Sequence, residues 1–457
     1  MAKKKQIELT IEEKLQNALV PKEEQPYKIP SNWCWLYSNF VVDVRDGTHD
    51  TPKYISEGYP LITSKNLKNN NIDFDKVNYI SKEDYEKINL RSKVDIGDVL
   101  FSMIGTIGNP VLIKGQTNYA IKNVALFKDI NLINMTFFRF YLETKFVIDK
   151  MKKEAKGSTQ KFVSLKYLRN FPICYPSLEE QQRIVNRIES LFTKLDRAKE
   201  LIENTLAQFE QNKMAILHKA FTGELTAKWR KENNIDLSSW EIVSIKDIGE
   251  VKGGKRLPKG EMLVNENTGH PYIKAGNLKN GTVAFNDLQY LKPQVYEKIK
   301  KYIVKENDVY ITIVGACIGD VGIIPKEVNG ANLTENAAKI TNLKCNAKFL
   351  SIQLSISSVQ KQIKGKIASA TLGKLSLQNI KNIQIKMPTI EEQQEIVNIL
   401  DKLLAKYNKI KNLEQQLEKI ELLKKAILAK AFRGELGTNN PDEESAENLL
   451  KEILAEK

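Results

Sequence analysis

Hydrophobic side chains fall at every third or fourth position through two long stretches of this chain. From Ser177 to Gly223, Ile184, Ile188, Leu191, Leu195, Ala198, Ile202, Phe209 and Ile216 approximate a heptad; from Thr389 to Gly434, Ile396, Leu400, Leu403, Tyr407, Ile410, Leu417, Ile420 and Ile427 do the same. That period predicts two helices, each with one apolar seam. Their starts carry capping-box patterns directly after a proline, Ser177 with Glu180 and Thr389 with Glu392. Gly223 and Gly434 stand where a helix would stop. At about 1.5 Å per residue each rod would reach roughly 60 Å. A rod that long with a single seam needs a partner, and the economical partner is the other rod, laid antiparallel.

Elsewhere the pattern changes. Short runs rich in β-branched and aromatic residues, Val99-Leu100-Phe101 and Val309-Tyr310-Ile311-Thr312-Ile313-Val314, end in glycine turns and read as strands. Thr136 to Met151 and Lys348 to Lys364 read as the helices of these mixed regions. Thr10 to Ala18 predicts a short N-terminal helix, and Pro441 to Lys457 an acidic amphipathic one placed to dock against it.

The two helical stretches are copies. Pro176-Ser177-Leu178-Glu179-Glu180-Gln181-Gln182-Arg183-Ile184-Val185 recurs as Pro388-Thr389-Ile390-Glu391-Glu392-Gln393-Gln394-Glu395-Ile396-Val397. Ala215-Ile216-Leu217-His218-Lys219-Ala220-Phe221-Thr222-Gly223-Glu224-Leu225 recurs as Ala426-Ile427-Leu428-Ala429-Lys430-Ala431-Phe432-Arg433-Gly434-Glu435-Leu436. Around them the match is looser: Trp33 with Trp240, Asn66-Leu67-Lys68-Asn69 with Asn277-Leu278-Lys279-Asn280, Asp98-Val99 and Gly105 with Asp308-Val309 and Gly315. The expected fold is α+β, a tandem repeat of two mixed domains, each followed by a long helix, the helices forming an antiparallel coiled coil. The expected order is an N-terminal helical segment (1–30), a first variable domain (31–176), the first long helix (177–225), a linker with a second variable domain (226–388), the second long helix (389–436) and an acidic tail (437–457).

Charge narrows the partners. The 457 residues hold 70 Lys and Arg against 56 Asp and Glu, a net charge of +14, which suits a polyanion. Cys34, Cys174, Cys317 and Cys345 are far apart, without CxxC or zinc-type spacing, and are expected to be thiols of a reducing compartment. No apolar stretch reaches the roughly 20 residues of a membrane helix and no signal peptide is expected, so the expected location is the cytoplasm.

No catalytic motif emerges. A GxxxxGK[ST] phosphate loop is absent, as are the Asn-Pro-Pro-Tyr and glycine-rich motifs of amine methyltransferases. His49, in Asp46-Gly47-Thr48-His49-Asp50-Thr51-Pro52-Lys53, is the one candidate for acid–base chemistry. Aligned on glycine and proline, the second copy reads Lys252-Gly253-Gly254-Lys255-Arg256-Leu257-Pro258-Lys259, which sets Lys255 opposite His49 and Arg256 opposite Asp50. No shared catalytic role survives that exchange. A common loop with different exposed groups suits the reading of different bases, since such groups bond base edges and phosphates. The candidate DNA contacts are Thr48, His49, Thr51 and Lys53; Ser64, Lys65, Asn66 and Lys68; Thr106; Gln160 and Lys161; and, in the second copy, Lys255, Arg256, Lys259, Lys274, Asn277, Lys279 and Lys374. No residue is assigned to catalysis or to a metal.

The duplicated Pro-x-x-Glu-Glu-Gln-Gln-x-Ile-Val start, the Ala-Ile-Leu-x-Lys-Ala-Phe-x-Gly-Glu-Leu end and the Trp-opened domains with a Gly-x-x-x-x-Pro loop resemble the specificity subunit of type I restriction-modification systems. The resemblance spans nearly the whole chain. It implies two target-recognition domains reading a bipartite asymmetric site in double-stranded DNA, with the helices as a ruler between them. It also implies assembly with two modification subunits, which carry S-adenosylmethionine and adenine methylation, and with restriction subunits that use ATP and Mg2+; this chain would hold no cofactor. The competing expectation, a stand-alone DNA-modifying or DNA-cleaving enzyme, requires activity from the chain alone.

Overall fold

A computed structural model describes residues 10–157, 161–367, 373–408 and 411–456. The chain forms two compact units, one of residues 1–202 with 414–457 and one of residues 203–413. Each unit therefore holds one mixed domain, the start of one long helix and the end of the other.

In the first unit a four-stranded antiparallel sheet runs in the order Val42–Asp46, Val124–Asp129, Val99–Ser102, Gly108–Leu112. Alternation along Val99-Leu100-Phe101 explains why the run is apolar throughout. Val99 and Phe101 join a core with Phe127, Phe137 and Phe138, while Leu100 joins one with Ile62, Ile121 and Leu126. A three-stranded sheet, Asn78–Ile80, Tyr59–Ile62, Ala120–Ile121, adds one parallel pairing. Strand Cys34–Tyr37 pairs with Pro172–Tyr175 and so ties the domain's entrance to its exit, just before the long helix.

The second unit repeats this topology strand for strand. Glu250–Gly253, Ala337–Thr341, Val309–Thr312 and Val321–Ile323 form its four-stranded sheet; Gln289–Tyr290, Pro271–Ile273 and Asn332–Leu333 form the three-stranded one; Glu241–Ser244 pairs with Gln384–Met387. The α+β tandem repeat expected from the sequence is the fold observed.

The predicted domain helices each come in two pieces. Met135–Glu143 and Lys145–Glu154 meet at Thr144, whose hydroxyl donates to the Tyr141 carbonyl and accepts from Val147 N–H, so one side chain closes one helix and opens the next. Ala347–Ser355 and Ser357–Gly365 break at the equivalent Ile356. Further helices, among them Lys82–Ser92 and Pro293–Ile299, were not expected.

The first long helix is continuous over 45 residues, Leu178–Thr222; the second is described as Ile390–Asn408 and Lys411–Ala431. They run antiparallel. In the first unit Asp196 pairs with Lys424 and Lys199 with Glu421, and in the second unit Ala220 and Phe221 share a core with Ile396, Val397 and Leu400. Leu191, Leu195, Ala198 and Ile202 are half-buried, because two helices cover a seam from one side only. The side chains of Tyr407 and Ile410 lie outside the described residues.

The repeated Glu-Glu-Gln-Gln motif is explained by a clamp built twice. Gln181 accepts from Asn134 N–H at 2.8 Å and donates to the Pro176 carbonyl at 2.9 Å, while Gln182 accepts from the Asn134 amide at 2.9 Å. Gln393 and Gln394 do the same with Asn346 and Pro388, at 2.8, 2.7 and 2.9 Å. Each second glutamate is buried and receives the segment that follows a helix-ending glycine: Glu180 takes the Thr438 hydroxyl and the Arg183 guanidinium, Glu392 takes Thr226, Arg230 and the Trp240 indole. At the chain ends, Ile11–Ala18 forms with a Thr10–Glu13 capping box, and Ala446–Glu456 packs on it, Leu15 and Ala18 sharing a core with Ala446 and Leu450.

Candidate nucleic-acid interface

Loops from four strand ends converge in the first domain. Gly47 N–H donates to the Val124 carbonyl at 3.0 Å and Thr48 N–H to the Ile121 carbonyl at 3.0 Å. Lys122 N–H reaches the Ile62 carbonyl at 2.8 Å, Ser64 donates to the Asn123 carbonyl at 3.3 Å, and Ser102 to the Ser64 carbonyl at 3.2 Å. Gly105 N–H donates to Lys161 at 2.9 Å, and the Lys122 ammonium donates to the Thr51 hydroxyl. These bonds gather Thr48, His49, Thr51, Ser64, the Thr106 loop and Lys161 into one cluster. Gln160 lies outside the described residues.

The second domain builds a like cluster, repeating the backbone bonds of Gly47, Thr48 and Lys122. Gly254 N–H donates to Ala337 at 3.0 Å, Lys255 N–H to Leu333 at 2.8 Å and Thr334 N–H to Ile273 at 3.0 Å. Ile313 N–H donates to Asn336 at 2.8 Å, and Lys374 bridges to Val314. The equivalence corrects the sequence alignment by one residue. Gly254, not Gly253, matches Gly47, so Lys255 stands opposite Thr48 and Arg256 opposite His49.

Both glycines are required by close approach. A Cβ on Gly47 would lie 2.3 Å from the Ile121 carbonyl oxygen, and one on Gly254 would lie 2.0 Å from that of Thr334. Gly47→Ala and Gly254→Ala are therefore each expected to cost about 1–3 kcal/mol by forcing two strand ends apart. Urea denaturation of the full chain measures this, and an unchanged midpoint for both variants would refute it.

The paired side chains differ between copies. His49 Nε2 donates to Asp46 at 3.0 Å, and its Nδ1 lies 2.9 Å from Asn123 Oδ1; buried Asp46 also holds Arg91. With both ring nitrogens engaged, His49 braces the two loops. In the second domain Arg256 binds Glu335 at 2.7 Å. Burial raises the Glu335 carboxyl, but the Arg256 guanidinium, the Glu335 amide and the Thr334 hydroxyl outweigh it and hold the carboxyl below its ordinary value. One place in the fold thus presents His–Asn in one copy and Arg–Glu in the other.

A family model described as the type I restriction modification DNA specificity domain matches residues 47–208 and again residues 238–422. The chain belongs to this family. Among its relatives, the specificity subunit of the type I restriction enzyme EcoBI of Escherichia coli is 29% identical over 70% of this chain and 71% of its own length. That of EcoKI, from Escherichia coli strain K12, is 23% identical over 94% and 96%. A solved structure described as addressing complex assembly and conformational transition of the type I R-M system matches with a TM-score of 0.69 at 18% identity, covering 90% of this chain and all of that one, and so shares its fold.

Within these specificity domains some of the sequence candidates have other duties. Asn66 is buried; its amide donates to the Asp73 and Lys76 carbonyls, and its Oδ1 accepts from Thr63. Asn277 holds the equivalent turn through Ala284, Asn286 and Lys274. Both organise backbone and leave the set of candidate contacts, because no donor or acceptor of theirs faces outward. Lys68 pairs with Asp73, and Lys274 donates to Gln289. Lys53, Lys65, Lys259 and Lys279 are exposed, and Lys255 sits 5.6 Å over the Tyr302 ring. The cluster also contains residues the sequence reading passed over: Lys122 and Asn123, and their counterparts Thr334, Glu335 and Asn336. In the first domain the signal was Asn123, which adopts a φ of 55°, a left-handed turn where asparagine is favoured.

Proposed function

We propose that this chain addresses a type I restriction-modification complex to a bipartite, asymmetric site in double-stranded DNA, each domain reading one half-site through its loop cluster. One observation carries the reading: two domains of identical topology, on the family's repeated helical frame, offer the same ring of loops with different side chains. A shared frame gives both domains one way of approaching a duplex, whose local two-fold symmetry suits a duplicated protein. Different side chains then give two sequences. Arg256 and Lys255 are donors suited to guanine O6 and N7 or to phosphate, while Lys122, Ser64 and Asn123 offer a mixed set. The excess of basic residues supplies the phosphate attraction that any such reading needs.

In this reading the long helices set the gap between half-sites. Two modification subunits, holding S-adenosylmethionine and the adenine chemistry, assemble on the chain, and restriction subunits bring ATP and Mg2+. The chain itself holds no cofactor, catalyses nothing, and works in the cytoplasm. Single-molecule methylation sequencing of the host, with and without this gene, tests this reading. Loss of one bipartite adenine motif is the expected result; unchanged methylation, or methylation or cleavage by the purified chain alone, sinks the proposal.

A further inference from the structure

Ile242 is 69% exposed, whereas Trp35, at the same register position of the first unit, is 1% exposed. The register is unambiguous, since Trp35 faces Cys174 and Ile242 faces Lys386 in the two equivalent strand pairs. What covers Trp35 is the N-terminal segment. Tyr27 packs 4.9 Å from the Trp35 ring and 5.2 Å from Phe146, donates its hydroxyl to the Cys174 sulfur at 4.0 Å, and lies under the Arg433 guanidinium at 5.7 Å.

Among the described residues the second unit has no counterpart of that segment. Its residues between Gly223 and Trp240 are engaged with Glu392, just as the residues after Gly434 are engaged with Glu180 in the first unit. Counting from the clamp residues and the helix ends, the positions equivalent to Tyr27's four neighbours are Ile242, Ser358, Lys386 and Thr222, and all four line an open groove of about 870 Å³.

Charge says what kind of occupant fits. Lys361 and Lys386 stand exposed at this groove, and the one carboxylate that lines it, Glu210, is paired with Lys213 at 3.6 Å. The groove is therefore net basic and calls for an acidic segment. We propose that the groove receives a short acidic segment of a partner polypeptide, anchored by an aromatic side chain beside Ile242. The partner segment does in trans for the second unit what the N-terminal segment does in cis for the first. This rests on the functional reading above, the partner being a modification subunit.

The test uses the full chain purified with its modification subunits. Ile242→Glu combined with Met214→Glu changes two exposed side chains of the groove and is expected to weaken binding of one modification subunit about tenfold or more, seen as loss of one copy by native mass spectrometry. Lys361→Glu with Lys386→Glu, which alters no core residue, is expected to act in the same direction. Hydrogen exchange of residues 355–362 is expected to slow on assembly. Wild-type binding by both variants, with no protection of those residues, overturns the inference alone. Failure of the wild-type chain to bind modification subunits overturns the functional reading with it. Protection of the groove in the chain by itself, with the mass of a dimer, overturns the assignment in favour of a second copy.

Discussion

Replacing Arg230 with alanine is expected to cost the second unit about 3–5 kcal/mol, the usual penalty for leaving a buried charge without its partner. Glu392 is fully buried and Arg230 is 7% exposed. The guanidinium donates to Glu392 at 2.6 Å, to the Thr226 hydroxyl at 3.0 Å and to the Gly223 carbonyl at 2.6 Å. Alanine removes all three bonds and strands the carboxylate with two neutral donors, Thr226 and Trp240. A second change, Glu392→Gln, is expected to recover part of the loss, because the amide needs no counter-charge. Arg183→Ala is the comparison. Arg183 serves Glu180 in the first unit but has a side chain 36% exposed, so solvent can replace it and the cost should stay near about 1 kcal/mol. Urea denaturation of the three variants decides the matter: equal losses for Arg183→Ala and Arg230→Ala would mean that burial of the pair is not what sets its worth.

The clamp marks how far the sequence could be read. The repeated Glu-Glu-Gln-Gln motif and its proline announced two helix starts, and the heptads announced their antiparallel pairing, since both depend on local spacing. Nothing local linked Gln181 to Asn134 or Glu392 to Arg230, because these contacts join residues far apart in the chain. The same limit shifted the loop alignment. Gly253 and Gly254 are identical in sequence, and only the backbone bonds to Ala337 and Leu333 show which of them meets the neighbouring strand. Helix Lys82–Ser92 escaped because its packed face holds only Tyr85 and Ile88, while Leu90 is 87% exposed and breaks the pattern. It is started by Ser81, which accepts from Asp84 N–H, a cap that outweighs the missing periodicity. Asn66 misled for a chemical reason: a loop asparagine serves equally well to bind a base or to hold a turn, and burial alone separates the two uses.

Exchange of residues 31–176 for the corresponding domain of a relative is expected to replace one half-site completely while leaving the other half-site and the gap unchanged. The loop cluster of the first domain, from Gly47 through Ser64, Ser102 and Asn123 to Lys161, falls wholly inside that span, and so do the strands that aim it. The span also carries side chains that hold the frame, among them Trp33 on Asn439, Phe137 and Tyr141 on Phe432, and Phe140 on Phe192, and the exchanged domain must keep them. Asn134 must be kept, because it engages Gln181 and Gln182 at the start of the long helix, and Trp35 and Phe146 must be kept, because Tyr27 seats between them. With those residues retained, the second unit meets no altered residue in its own clamp or loop cluster. Each mismatched base pair in a recognised sequence typically costs about 1–3 kcal/mol, so two or three changed positions are enough to move methylation wholly from the old half-site to the new one. Methylated adenines mapped genome-wide give the readout. A change in both half-sites, or in neither, would show that the two clusters do not read DNA independently, and the duplication would then need another explanation than two addresses on one frame.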